Sequence, residues 1–233
     1  MKTICLLSGG LDSTTLAAFL KSKGHELTAL SVHYGQRHAK ELEAAERIAA
    51  YLGIEWVQVD LGAIRGLFAG SGSSQVTDEA VPEGHYAESN MRSTVVPNRN
   101  MIMLSVAAAL AISRKANAIA FAAHAGDHAI YPDCREAFVN AMRPALASCD
   151  YGVLHLLTPF LFETKADIAQ RAAALRVPVE MTWSCYQGEA IHCGRCGTCV
   201  ERAEAFSLAG VDDPTVYADS EFWKMAVQQA PAL

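Results

Sequence analysis

Long apolar runs, blocks of like charge and internal repeats are all missing from this 233-residue sequence. The longest apolar candidate, residues 101–112, is too short to cross a bilayer and is interrupted by Ser105. Near the start, the apolar residues 4–7 end at Ser8 and Gly9, so a secretory hydrophobic segment is not formed. A soluble, cytoplasmic protein with no membrane partner is therefore expected. Positive charge is scarce as well: 19 Lys and Arg stand against 25 Asp and Glu, a formal net charge of −6. That balance argues against a broad nucleic-acid surface and for a small substrate. The G-x-x-x-x-G-K-[ST] phosphate loop is absent, and residues 8–13 do not make the G-x-G-x-x-G dinucleotide pattern. The seven cysteines are an odd number, and four crowd between 185 and 199. This distribution fits metal binding in a reducing compartment better than a disulfide framework.

What the chain does have is a polar glycine loop at an informative place. Ser8-Gly9-Gly10-Leu11-Asp12-Ser13 lies between the apolar Ile4-Cys5-Leu6-Leu7 and the helix-like Thr14-Thr15-Leu16-Ala17-Ala18-Phe19-Leu20. Glycines admit close backbone approach to an anion, and the N–H groups of a helix start supply donors and partial positive charge. The loop reads as an anion site, the plainer alternative being a tight turn with an Asp/Ser helix cap.

Apolar, β-rich segments recur at residues 3–7, 27–32, 56–61, 118–122 and 153–157, separated by stretches rich in helix formers. The alternation predicts an α/β fold, a parallel sheet with helices on both faces. Residues 39–52 and a stretch opened by Asn98 and Arg99 and running to about Lys115 read as crossover helices, and a further helix is expected at 166–174. Residues 66–90 break the rhythm with Gly70-Ser71-Gly72-Ser73-Ser74 and Pro82, and read as a long mobile loop beside the active site. The domain boundary is expected near residues 178–182, dividing an α/β domain, 1–180, from a C-terminal module, 181–233.

Cys185, Cys193, Cys196 and Cys199 make C-x7-C-x2-C-x2-C, with Gly194 and Gly197 between the later ligands. Short C-x-x-C spacings let thiolates converge, and four sulfurs match the closed tetrahedral site of a structural zinc. An iron–sulfur cluster and a redox C-x-x-C are the rival chemistries. Arg195 and Arg202 are expected to offset part of the negative charge, while His192 is expected beside the metal or exposed. Cys5 and Cys134 read as packing residues; Cys149 and residues 223–233 have no role legible in the sequence.

Five segments together resemble the 7-cyano-7-deazaguanine synthase family of PP-loop ATP pyrophosphatases. They are Ser8-Gly9-Gly10-Leu11-Asp12-Ser13-Thr14-Thr15; Tyr34-Gly35-Gln36-Arg37-His38; Val96-Pro97-Asn98-Arg99-Asn100; Tyr131-Pro132-Asp133-Cys134-Arg135; and Thr182-Trp183-Ser184-Cys185-Tyr186 with the cysteine motif after it. The resemblance implies a Rossmann-like (HUP-type) sheet and conversion of 7-carboxy-7-deazaguanine, ammonia and ATP into the 7-nitrile. It also implies Mg2+ with ATP, one structural Zn2+ per chain and a homodimer. Under it, Ser8, Gly9, Gly10, Leu11, Asp12, Ser13, Thr14, Thr15 and Leu16 form the ATP loop, with Asp12 capping the helix or positioning magnesium. Lys165 and Arg37, with Asp12 and Ser13, are expected to serve catalysis by neutralising the departing pyrophosphate. Asp133 is the expected acceptor for the guanine-like amidine edge and Arg135 the partner of the substrate carboxylate, with Tyr131 and Arg99 also at the substrate. His124, Asp127 and His128 are read as substrate or structural residues. A related PP-loop ligase that stops at the amide and a PP-loop tRNA-modifying enzyme are the competing activities.

Overall fold

The computed structural model describes residues 1–37 and 40–230. Five parallel strands, β1 (Lys2–Leu6), β2 (Glu26–His33), β3 (Glu55–Asp60), β4 (Ala118–Ala120) and β5 (His155–Leu157), form one sheet in the order β3-β2-β1-β4-β5. Seven helices are described: α1 (Leu11–Ser22), α2 (Lys40–Leu52), α3 (Arg99–Ser113), α4 (Glu136–Ala147), α5 (Lys165–Ala174), α6 (Gly197–Ala209) and α7 (Phe222–Gln228). All five predicted strands are present. The predicted helix at 39–52 is α2, with Ala39 itself outside the described residues.

Strand alternation divides the core in two. Cys5, Leu7, Leu27, Ala29 and Ala120 face one layer with Leu16 and Leu20 of α1, Ile48 of α2, Ile168 of α5 and Phe206 of α6. Ile4, Leu6, Leu30, Val32, Ile119 and Phe121 face the other, with Leu104 and Ala107 of α3 and Val139 and Met142 of α4. Both faces are covered, which is why these strands read as continuous apolar runs. The apolar stretch Ser89–Ser113 has the length and composition of a membrane span. It divides into a short 3-10 turn, Ser89–Thr94, and α3, which buries Leu104, Ala107 and Ala111 against the sheet.

Strand order reverses between β1 and β4, so the crossovers diverge there and leave a crevice at the strands' carboxyl ends. The loop at residues 7–10 opens into that crevice. Residues 66–90 pack over it with Ser73, Ser74, Gln75 and Val81 buried. This loop is tied to the cysteine segment: Glu83 bridges Cys196, the Gly84 N–H donates to the Arg195 carbonyl at 3.1 Å, and the Arg195 guanidinium meets Glu83 at 2.8 Å.

Candidate functional site

The anion loop is built from its own hydroxyls. Ser8 N–H donates to Ser13 Oγ at 3.1 Å, Gly10 N–H donates to Ser8 Oγ at 3.3 Å, and the two serine oxygens lie 3.0 Å apart. Gly10 is the residue before α1, and the first N–H with a partner inside the helix is that of Thr14, to the Gly10 carbonyl. The N–H groups of Leu11, Asp12 and Ser13 are thus the donors a helix start offers an anion. Gly9 has φ +89°, and a Cβ there would stand 2.2 Å from the Glu41 carbonyl oxygen, so glycine lets α2 pack directly on the loop. Trp183 N–H donates to the Gly9 carbonyl at 2.9 Å, joining the loop to the C-terminal segment.

One cavity above β1, β2 and β4 is lined by Ser8, Gly10, Leu11, Asp12, Ser13, Lys165, Tyr131 and Arg99 among the residues expected at the site. Thr14, Thr15 and Leu16 are instead buried in α1. The Thr14 and Thr15 hydroxyls donate back to the carbonyls of Gly10 and Leu11, at 2.7 and 2.8 Å, and Leu16 is core. Asp12 does not cap its helix: the cap position is Gly10 with no side-chain bond, and Asp12 turns to Lys165.

The Lys165 ammonium lies 2.6 Å from Asp12, 3.4 Å from Glu201 and 3.4 Å from His124 Nε2; His124 is also 3.6 Å from Asp127. Burial opposes the charged amine, but Asp12, Glu201 and Asp127 outweigh it and hold the lysine protonated well above its ordinary range. For Asp12, burial is likewise overcome by Lys165 and His124, which hold its carboxyl below the ordinary value. Asp12 Oδ1 is buried without a hydrogen-bond partner. Thr164 precedes α5 as a reciprocal cap with Asp167, which fixes the helix start that carries Lys165.

Arg99 opens α3 on the opposite wall, with the Tyr131 ring 5.9 Å from its guanidinium. The Tyr131 hydroxyl lies 2.8 Å from Thr94 Oγ1 and 3.5 Å from the Tyr186 hydroxyl. Asp133 and Arg135 stand behind this wall. Asp133 accepts the Asn100 N–H at 3.0 Å, and Arg135 donates to the His128 carbonyl at 2.8 Å; the two do not pair with each other. Arg37 donates to the Glu79 carbonyl at 3.0 Å, and its backbone N–H holds the carbonyl of Gln75. His38, the next residue of that motif, lies outside the described residues. Cys134 is buried on the cavity wall and accepts from Asn100 Nδ2 at 3.2 Å.

The four sulfurs of Cys185, Cys193, Cys196 and Cys199 all lie within 4.8 Å of one another, with Cys193 and Cys199 3.9 Å apart. Backbone N–H groups of Arg195 and Cys196 each approach Cys193 Sγ at 3.3 Å. The arginines act differently from expectation. The Arg195 guanidinium meets Glu83 and Asp219, and Arg202, fully buried, is taken up by Thr182, Ser184, the Val179 carbonyl and Asp213. His192 accepts from the Ser184 N–H at 3.1 Å and packs on Trp183, so it supports the module without joining the sulfurs.

Glu201, Glu41 and Gln75 also line the cavity and had no sequence signal: each is a single polar residue in a helix or loop of ordinary composition. The only local hint is that Glu41 follows Tyr34-Gly35-Gln36-Arg37 and Glu201 follows the last cysteine.

The model of the family described as queuosine biosynthesis protein QueC matches residues 2–210. Proteins named 7-cyano-7-deazaguanine synthase from Brucella ovis and Brucella canis are each 50% identical over 235 residues, covering 100% of both chains. Among solved structures, the U34-tRNA thiolase NcsA from Methanococcus maripaludis, with its [4Fe-4S] cluster, superposes with a TM-score of 0.50 at 16% identity. That match covers 89% of this chain and 65% of the thiolase, and it bears on fold alone. With a family model spanning most of its length and relatives matched end to end, this chain belongs to the QueC family of queuosine biosynthesis proteins.

Proposed function

We propose that the chain converts 7-carboxy-7-deazaguanine and ammonia into 7-cyano-7-deazaguanine at the expense of ATP. The observation that carries this reading is that the anion loop, the Lys165 cluster and the Arg99–Tyr131 wall line a single cavity. A carboxylate oxygen is a poor leaving group. Transfer of AMP to it, with release of pyrophosphate, gives an acyl phosphate anhydride that ammonia attacks to form the amide and AMP. A second AMP transfer, to the amide oxygen, prepares loss of AMP and protons to leave the nitrile.

Ser8, Gly9, Gly10, Leu11 and Ser13 are assigned the phosphates through the loop's N–H and hydroxyl groups, while Thr14, Thr15 and Leu16 hold the loop's helix from within. Lys165 is assigned the charge on the departing pyrophosphate, and Arg37, which is exposed and not among the residues lining the cavity, the same charge as the pyrophosphate leaves. The buried Oδ1 of Asp12 suits Mg2+, which binds through one or two carboxylates and the nucleotide's own oxygens. Arg99 and Tyr131 are assigned the deazapurine, with Asp133 and Arg135 supporting them through Asn100 and the backbone at His128.

Four sulfurs around one Zn2+ at about 2.3 Å would lie about 3.8 Å apart, close to the 3.9 Å between Cys193 and Cys199 and within the 4.8 Å that bounds the set. A cubane spreads its thiolates over separate irons and needs a wider set. Zinc in a closed four-sulfur site is structural, and metal analysis should find about one zinc per chain without visible absorbance; iron would overturn the assignment. Residues 1–180 are assigned to the nucleotide-binding domain and 181–233 to the zinc module, of which 231–233 lie outside the described residues. A cytoplasmic homodimer completes the reading, its oligomeric state checked by light scattering.

The test incubates purified protein with Mg2+, ATP, ammonium and 7-carboxy-7-deazaguanine, following nucleotides and deazapurines by mass spectrometry. Nitrile together with AMP is expected. Amide as the end product would replace the reading with an amide-forming ligase, and turnover dependent on tRNA would replace the substrate class.

A further inference from the structure

Between the loop after β2 and the start of α3, the cavity wall carries three polar groups that neither the anion loop nor the Lys165 cluster engages. Glu41, half-buried in the first turn of α2, lines the cavity, and its carboxylate has no hydrogen-bond or ion-pair partner among the described residues. Burial raises its carboxyl and the Arg99 guanidinium opposes that rise. Arg99 Nε and Gln75 Nε2 are both buried without a partner, and both residues line the same cavity. Gln75 is only 8% exposed, held by the Arg37 N–H on its carbonyl and by its own N–H to Ser73 Oγ at 3.4 Å. An unsatisfied buried donor costs about 1–3 kcal/mol, so two on one wall mark where a ligand acceptor belongs.

The pattern has a chemical complement. A guanine-type six-membered ring presents an N–H, an amino group and a carbonyl side by side: two donors and one acceptor. A carboxylate matches the two donors, and side-chain N–H groups match the carbonyl. The rings of Tyr34, Tyr131 and Tyr186 line the same cavity and offer apolar faces to a flat bicycle.

We propose that Glu41 accepts the N1–H and 2-amino group of the 7-deazaguanine, while Arg99 and Gln75 donate to its 6-carbonyl. The assignment rests on the deazaguanine reading above and adds the specificity residues to it. Asp133, the acceptor expected from the sequence, already receives the Asn100 N–H at the start of α3 and does not line the cavity. The same wall sorts the two heterocycles that share the cavity. Adenine sets its amino donor beside a ring-nitrogen acceptor, which would face a Glu41 oxygen unfavourably. The substituent at C7 lies across the bicycle from the 2-amino group and beside the 6-carbonyl, so Glu41 stands clear of the reacting carboxylate while the donors to the carbonyl stand next to it.

The experiment measures steady-state kinetics of the full chain with 7-carboxy-7-deazaguanine and with the analogue lacking the 2-amino group. Wild-type enzyme should prefer the parent by about 10- to 100-fold in kcat/KM, the range expected when a buried acceptor loses its donor. In Glu41→Gln, KM for the parent should rise at least about tenfold with KM for ATP within about twofold, and the preference should collapse to under about threefold. Wild-type indifference to the 2-amino group, or full preference retained in Glu41→Gln, overturns the proposal. Absence of turnover of the parent by wild-type enzyme would count against the catalytic reading instead. Gln75→Met gives an independent arm should Glu41→Gln misfold: KM for the deazapurine should rise about fivefold or more with the 2-amino preference kept. An unchanged KM there also overturns it.

Discussion

The ammonium of Lys165, the first residue of α5, sits 2.6 Å from the carboxylate of Asp12, the second residue of α1, across 153 positions of sequence. With Glu201 at 3.4 Å on the other side, the lysine is held between two carboxylates at the mouth of the anion loop. The two carboxylates neutralise the ammonium beside the loop to which the proposed function assigns the phosphates.

Lys165→Met is expected to lower kcat for pyrophosphate release by about 10²- to 10³-fold, the scale for removing one group that stabilises charge in a transition state. It also leaves Asp12 and Glu201 without their shared cation, and breaking a buried pair costs about 3–5 kcal/mol. Denaturant unfolding beside a pyrophosphate assay checks both. Full turnover at limiting ATP would remove Lys165 from catalysis.

Glu41 makes stability depend on pH in a predictable direction. Burial pushes its carboxyl up from 4.5 to about 7, with Arg99 partly opposing. The folded state therefore favours the protonated form: its contribution is complete below about pH 4.5 and is lost as pH rises through about 7. Discounted for solvent reaching this half-buried group, the loss should be about 1–3 kcal/mol. Glu41→Gln cannot ionise, so its Tm should fall less than that of the wild type between pH 5 and 8. Parallel curves would show that the group does not titrate in this window.

Gly194 has φ +78°, and a Cβ there would stand 1.8 Å from the Asp219 carbonyl oxygen. Gly194→Ala should force the turn between Cys193 and Cys196 apart. Bound metal per chain should drop below half, and Tm should fall by several degrees, as expected from a backbone cost of about 1–3 kcal/mol or more. Because Val81, Glu83 and Gly84 rest on this module, proteolysis within residues 66–94 should rise in parallel. Metal loss with unchanged cleavage would uncouple the loop from the module.

Asp133→Ala removes the acceptor of the Asn100 N–H at a helix start whose cap residue, Asn98, makes no side-chain bond. A loss of about 1 kcal/mol is expected. KM for the deazapurine should rise through the loosened Arg99, with KM for ATP steady. Asp133→Asn keeps an oxygen acceptor and should recover most of both effects; failure to recover would assign the ionic charge itself a role.

Much of this architecture is written locally. Segments such as Ile4-Cys5-Leu6-Leu7 and Leu27 to Val32 are buried on both faces, so their apolar runs announce a parallel strand wherever they occur. The glycines of the anion loop and the spacing of Cys185, Cys193, Cys196 and Cys199 carry their chemistry in the backbone they permit, and both were legible for that reason. Which side chains face the cavity was not. Thr14 and Thr15 belong to the loop's sequence, yet their hydroxyls close on the preceding helical turn, because a residue one step round α1 points into the core. Glu41, Gln75 and Glu201 come from three separate segments, and their meeting depends on α2 packing against Gly9, on the 66–90 loop folding over the crevice and on α6 lying beside α5. The sequence by itself determined the five strands, the helices α1, α2, α3 and α5, the glycine loop and the four-cysteine group, since each follows from short-range pattern. Only the tertiary structure decided the polar lining of the cavity, because that depends on packing between segments tens to more than a hundred positions apart.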